Sequence, residues 1–230
     1  MHANFTPLLL ALTLGLSTAL PTAAQPVDQL PMYGGLDRSG DSSLREADDK
    51  LVAETVRHYG SREKASAAFV ANGFAFYGRD NLADAMRRFN QAWLLDPNNA
   101  EVYFGFAVVL HDKGKNCEAT TQFERATSFG RYIEGMAPDA ARILVLCAVE
   151  DKSLSEEAKS KLFSRSDALY AEALTREPNK GYVHASMASA SFWRGKYAEA
   201  WASVKLARAN GGRLPEQFLR LLREKMPEPA

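Results

Sequence analysis

Between residues 43 and 60 the apolar side chains Leu44, Ala47, Leu51, Val52, Val56 and Tyr59 recur three or four positions apart, which places them on one face of a helix. Ser43 with Glu46 reads as a capping box at its start. A second such segment, 215–226, opens at Pro215, carries Phe218, Leu219, Leu221 and Leu222, and runs into Pro227 and Pro229. Between these two the pattern repeats on a longer period. Phe69 and Tyr103, Ala85 and Ala119, Phe89 and Phe123, and Ala92 and Ala126 all stand 34 residues apart, as do Tyr170 and Val204, and Ala173 and Ala207. Phe123 and Tyr170 are 47 apart, one period and 13 more. Asp96-Pro97-Asn98 and Glu177-Pro178-Asn179 are 81 apart, two periods and the same 13. One insertion of about a single helical segment accounts for both offsets. With 36 Ala against 15 Gly and 10 Pro, the predicted class is all-α.

Ahead of the repeats, residues 1–24 hold no Asp, Glu, Lys or Arg and centre on the apolar run Leu8–Leu16, with small residues closing it at Thr22-Ala23-Ala24. The run is short for a spanning helix and is flanked by Pro7 and Pro21, so it reads as a secretory signal peptide, with a retained anchor as the alternative. No Cys stands near the cleavage point, which excludes a lipoprotein leader. The expected mature chain is periplasmic or secreted, with no integral membrane span. Residues 25–42, with Pro26, Pro31, Gly34 and Gly35, are expected to form an irregular arm.

The 34-residue unit resembles the tetratricopeptide repeat, a helix-turn-helix module. In 66–99, Phe69, Gly73, Phe76, Ala85, Phe89, Ala92 and Pro97 stand at that family's Trp, Gly, Tyr, Ala, Phe, Ala and Pro positions, with Asn72 replacing its Leu. In 100–133, Tyr103, Phe106, Ala107, Leu110, Ala119, Phe123 and Ala126 match, and Arg131 replaces the Pro. A degenerate third unit, 137–180, matches through Tyr170, Ala173 and Pro178; a fourth, 181–214, matches through Gly195–Ala200 and Ala207, with His184 at its Trp position. The resemblance implies helical hairpins stacked in a right-handed superhelix, with 43–60 and 215–226 as capping helices that cover the terminal repeats.

It also implies a groove. The first helices of successive pairs line the concave face in this family, which would make Phe74, Tyr77, Phe104, Val108, His111, Tyr182, Phe192 and Trp193 its lining. That lining is largely apolar and aromatic and suits an amphipathic or apolar segment of a partner protein. The Lys, Asn and Arg with which family members hold a terminal carboxylate are missing there. Coverage by the arm, or by a tight superhelix, is the other expectation. The same register sets Cys117 and Cys147 on adjacent antiparallel helices at one level, which implies a disulfide; two buried free thiols are the alternative.

Charge and motifs narrow the function. The chain has 28 basic and 28 acidic residues, so its formal net charge is zero, which argues against nucleic acid as a partner. Asp37, Ser39, Asp41 and Ser43 resemble the alternate oxygens of a calcium loop, but Ser42 stands where such a loop needs Gly and Asp48 where it needs Glu. The four histidines form no metal-ligand spacing. No nucleophile elbow, phosphate loop or dinucleotide glycine motif occurs, so neither catalytic residues nor a cofactor is expected. The expected function is a non-catalytic interaction module that binds a protein or peptide segment; an immunity or inhibitor protein that blocks a secreted toxin or enzyme is the alternative.

Overall fold

Serine, asparagine and aspartate side chains start most of the helices by accepting from the first free backbone N–H groups. Asp41, Ser61, Asn81, Asn99, Ser155 and Asn179 do so in turn. At the first of these the sequence expectation shifts: Asp41 caps, accepting from Ser43 and Leu44, so the Ser43–Glu46 box is not used. The computed structural model describes residues 25–229, and the leader expected over 1–24 lies outside them. Among the described residues there are ten α-helices: α1 (Ser42–Tyr59), α2 (Arg62–Tyr77), α3 (Leu82–Leu95), α4 (Ala100–Asp112), α5 (Asn116–Thr127), α6 (Met136–Glu150), α7 (Glu156–Arg176), α8 (Lys180–Trp193), α9 (Tyr197–Ala209) and α10 (Glu216–Lys225). There is no strand, and no helix is long and apolar enough to cross a membrane, among the described residues.

The helices pack as hairpins, α2 with α3, α4 with α5, α6 with α7 and α8 with α9, and each hairpin stacks on the next, giving a repeat-like all-α fold. Glycine sets the closest approach. A Cβ on Gly73 of α2 or Gly105 of α4 would lie 2.5 or 2.3 Å from the Phe89 ring, so α3 inserts that ring between two helix backbones and buries it completely. Polar side chains fasten the hairpins internally. Ser66 Oγ donates to the Ala92 carbonyl (2.9 Å) and Ser166 Oγ to the Ala141 carbonyl (2.7 Å), both buried. Arg62 donates to the carbonyls of Leu94 and Leu95 at the end of α3, where the helix leaves them free.

The extra residues of the third hairpin do not form one added helical segment, as the sequence suggested. They are spread over the connection 128–135 and a lengthened α7, which has 21 residues against 14 in α3 and 12 in α5. Glu177 holds this irregular connection. Only 3% exposed, its carboxylate accepts from the Gly135 N–H with both oxygens, at 3.1 and 3.0 Å, at the start of α6. An anion is favoured there by the aligned peptide dipoles of the helix. Glu177→Ala should therefore cost about 3 kcal/mol and Glu177→Gln about half of that, read from urea unfolding; stability equal to wild type in both would show that the carboxylate does not hold the connection.

The arm docks on the second helices. Buried Asn90 of α3 donates to the carbonyls of Asp28 and Leu30 (2.9 and 2.8 Å) and accepts from the Tyr33 N–H (3.3 Å), while Arg87 pairs with Asp28. Met32 and Tyr33 adopt left-handed backbone, φ 51° and 53°, which costs roughly 1–2 kcal/mol each. Burial of the Tyr33 ring under the Arg38 guanidinium, 4.1 Å away, offsets that cost. Burial also pushes the Tyr33 phenol up to about 12. Arg38 is held in turn by Asp48, so this residue of the calcium-like loop is occupied by an ion pair. Asp37 and Asp41 accept from Ser39 and Ser43 in tight turns, so the loop forms an entry into α1.

Candidate functional site

The first helices α2, α4, α6 and α8 lie side by side, and the eight expected groove residues divide between core and surface on them. Phe104 and Val108 are buried, which corrects their assignment as lining. Phe104 sits between Phe74 and Phe123, ring centroids 5.6 and 5.9 Å away. The reason is the position of α4, which is packed by α2, α3, α5 and α6 at once, so every residue from Val102 to Leu110 is buried and no face remains for a ligand. Phe74 is half-buried against Phe89 and Phe104. Phe192 is half-buried among Trp193, Tyr197 and Phe218. Tyr182 and Trp193 are exposed, at 39% and 46%.

His111 belongs to neither group, because both its ring nitrogens are engaged in a polar chain. Asn116 Nδ2 donates to the Glu150 carboxylate (2.7 Å), which turns the amide oxygen toward His111 Nδ1 (2.6 Å). On the other side Arg142 Nη1 lies 2.8 Å from His111 Nε2. A guanidinium only donates and a carboxylate only accepts, so Nε2 accepts, and the proton sits on Nδ1 and is donated to Asn116. The chain continues through Arg142 Nη2, which donates to Asp139 Oδ1 (3.2 Å), and ends at the Tyr182 hydroxyl, which donates to the same oxygen. Arg142 is thus the common donor, from which the bonds run through His111 and Asn116 to Glu150 on one side and to Asp139 on the other, where Tyr182 also donates, and together they link α4, α5, α6 and α8.

Electrostatics fit this arrangement. Burial is the largest single influence on Arg142 and would lower its pKa, but the charge and hydrogen bond of Asp139 together with the Tyr182 and Tyr170 hydroxyls outweigh it and hold the guanidinium above its ordinary range. Burial, followed by the Asp139 charge, raises the Tyr182 phenol. Tyr77, at the end of α2, is raised by burial and then by the neighbouring Asp112 carboxylate. Both phenols therefore remain neutral hydrogen-bond donors. Below them, Ser186 Oγ donates to the Pro138 carbonyl (2.8 Å) and lies 3.0 Å from the buried Tyr170 hydroxyl, tying α8 to α6 and α7. His184 lies outside the cluster; its Nδ1 is buried without a hydrogen-bond partner among the described residues, and burial followed by the Lys180 charge lowers its pKa.

A cleft of about 340 Å³ opens beside this chain, between α8 and the segment that enters α10. Arg142, Tyr182, Ala185, Ser186 and Ser189 form one wall, and Arg213, Leu214, Pro215 and Phe218 form the other. No arm residue lines it. The sequence pattern missed Asp139, Arg142, Arg213 and Phe218. Two of these carried a signal: Asp139 and Arg142 are a charged pair inside the otherwise apolar α6, and buried charges are found paired. Arg213 and Phe218 carried none, because only the return of the chain after α9 brings them to α8.

Cys117 and Cys147 are bonded as the repeat register implied, joining α5 to α6 across a sequence separation of 30. The bridge is next to the polar chain: Asn116 precedes Cys117, and Glu150 follows Cys147 by one helical turn. No family model, curated protein or solved structure matches the chain.

Proposed function

We propose that this chain is an exported, non-catalytic protein-binding module of the tetratricopeptide-repeat type, with its hairpins stacked in a right-handed superhelix, that holds a segment of another envelope protein. The 34-residue spacing and the glycine-flanked Phe89 ring support the repeat type, and the disulfide suits an oxidising compartment such as the periplasm. The observation that carries the binding role is the cleft along α8, lined by the exposed Tyr182 and a row of small and hydroxyl side chains, with Trp193 exposed beyond it one helical turn past Ser189. Exposed aromatics beside a concave surface are the usual anchors of a protein partner.

The test is affinity capture from the native envelope fraction with cross-linking and mass spectrometry, using the mature chain and a Tyr182→Ala/Trp193→Ala variant. A protein enriched by the wild type and reduced at least roughly tenfold by the variant is expected, the loss of two anchors. Identical capture by both forms would remove the α8 cleft as the binding surface. Phe104→Ala is not a suitable probe, since that ring is core and its loss would report on folding.

A further inference from the structure

We propose, resting on the protein-binding role above, that the α8 cleft takes an internal peptide segment in which an acidic residue is flanked by apolar ones. Two arginines, Arg142 and Arg213, line this cleft, and no aspartate or glutamate does. Arg142 is committed to Asp139. Arg213 is exposed and has neither an ion pair nor a hydrogen-bond partner among the described residues, so its charge is available to a ligand. It emerges beside Leu214 and Phe218, where an apolar wall lowers the local dielectric and strengthens a charge-assisted contact. A guanidinium matches a side-chain carboxylate with two parallel hydrogen bonds. The apolar wall and the exposed Trp193 call for apolar neighbours on either side of that acid.

The length follows from the helix. Tyr182, Ser186, Ser189 and Trp193 follow one another four, three and four residues apart, which aligns them on one stripe of α8. At about 1.5 Å per residue the stripe spans roughly 16 Å, the reach of about five extended residues.

The experiment uses the full mature chain, immobilised, and three pools of hexapeptides acetylated at the N-terminus and amidated at the C-terminus, so that no terminal charge contributes. One central residue is fixed as Glu, Gln or Lys, and the other positions are equal mixtures of Leu, Phe, Ala and Ser. The Glu pool should be retained at least roughly fivefold above the other two. Arg213→Gln should bring it down to the Gln pool without a change in thermal unfolding, because that side chain is exposed, and Trp193→Ala should lower retention of all pools. Equal retention of Glu and Gln pools by the wild type, or a Glu preference that survives Arg213→Gln, overturns the acidic specificity and leaves the protein-binding role intact. Retention of none of the pools overturns this proposal, while the capture experiment above still decides the broader role. Arg213-dependent binding to phosphatidylglycerol vesicles without any Glu preference would also overturn it, in favour of a lipid surface.

Discussion

Phe89→Ala is expected to lower the unfolding free energy by roughly 3–5 kcal/mol, the range for deleting a fully buried aromatic ring. The upper part of that range applies because the ring is wedged between the backbones of α2 and α4 at Gly73 and Gly105, on two helices that are themselves buried against others. Rigid backbone on both sides leaves little to relax into the space, so the cavity stays open. A sharper form of the test uses the glycines. In the wild type, Gly105→Ala places a Cβ 2.3 Å from the ring and is expected to destabilise by roughly 1–3 kcal/mol. In the Phe89→Ala background the same change meets no ring and gains about 1 kcal/mol of helix propensity, so its sign should reverse. Equilibrium urea unfolding of the four proteins measures this; additive effects would show that the ring and the glycine are not coupled.

Opening the disulfide has the second large effect. Closing a loop between cysteines separated by 30 positions in sequence restricts the unfolded chain by about 3–4 kcal/mol on the entropy model. A Cys117→Ala/Cys147→Ala variant should melt roughly 7–14 °C below the oxidised protein. The wild type in reductant should fall to the same value, with two thiols then open to alkylation. The loss should reach beyond the loop, because the bridge holds α5 against α6 where Asn116 meets Glu150, the beginning of the chain that orients His111 and Arg142. A reduced protein that melts with the oxidised one, both thiols having been shown to react, would refute the stabilising role.

The helices themselves were legible because each carries its own local cause. The 34-residue recurrence of small and aromatic positions located the hairpins from α2 to α5, and Asn99 and Asn179 mark helix starts by a side-chain bond within the next three residues. The capping error at Ser43 has a local origin too, since Asp41 two residues earlier takes the Ser43 N–H that Glu46 would accept from in the box and, as a carboxylate, accepts strongly. The groove was less legible. A spacing rule places Phe104, Val108 and Tyr182 on equivalent faces but does not say how many neighbours each face has. In the middle of the array α4 is enclosed, and the expected lining became core; nearer its end α8 keeps Tyr182 and Trp193 exposed.

The sequence by itself thus determined the helical class and the 34-residue recurrence from Phe69 to Phe123, and made a Cys117–Cys147 bridge the expectation, because these depend on contacts within a helix or between helices adjacent in the chain. The tertiary structure alone decided which side chains reach a ligand. The carboxylate of Glu177 at Gly135, the chain from Glu150 through His111 and Arg142 to Tyr182, and the approach of Arg213 and Phe218 to α8 join residues that are tens of positions apart or lie on different hairpins. No local periodicity encodes such meetings, since they follow from the accumulated geometry of the intervening turns.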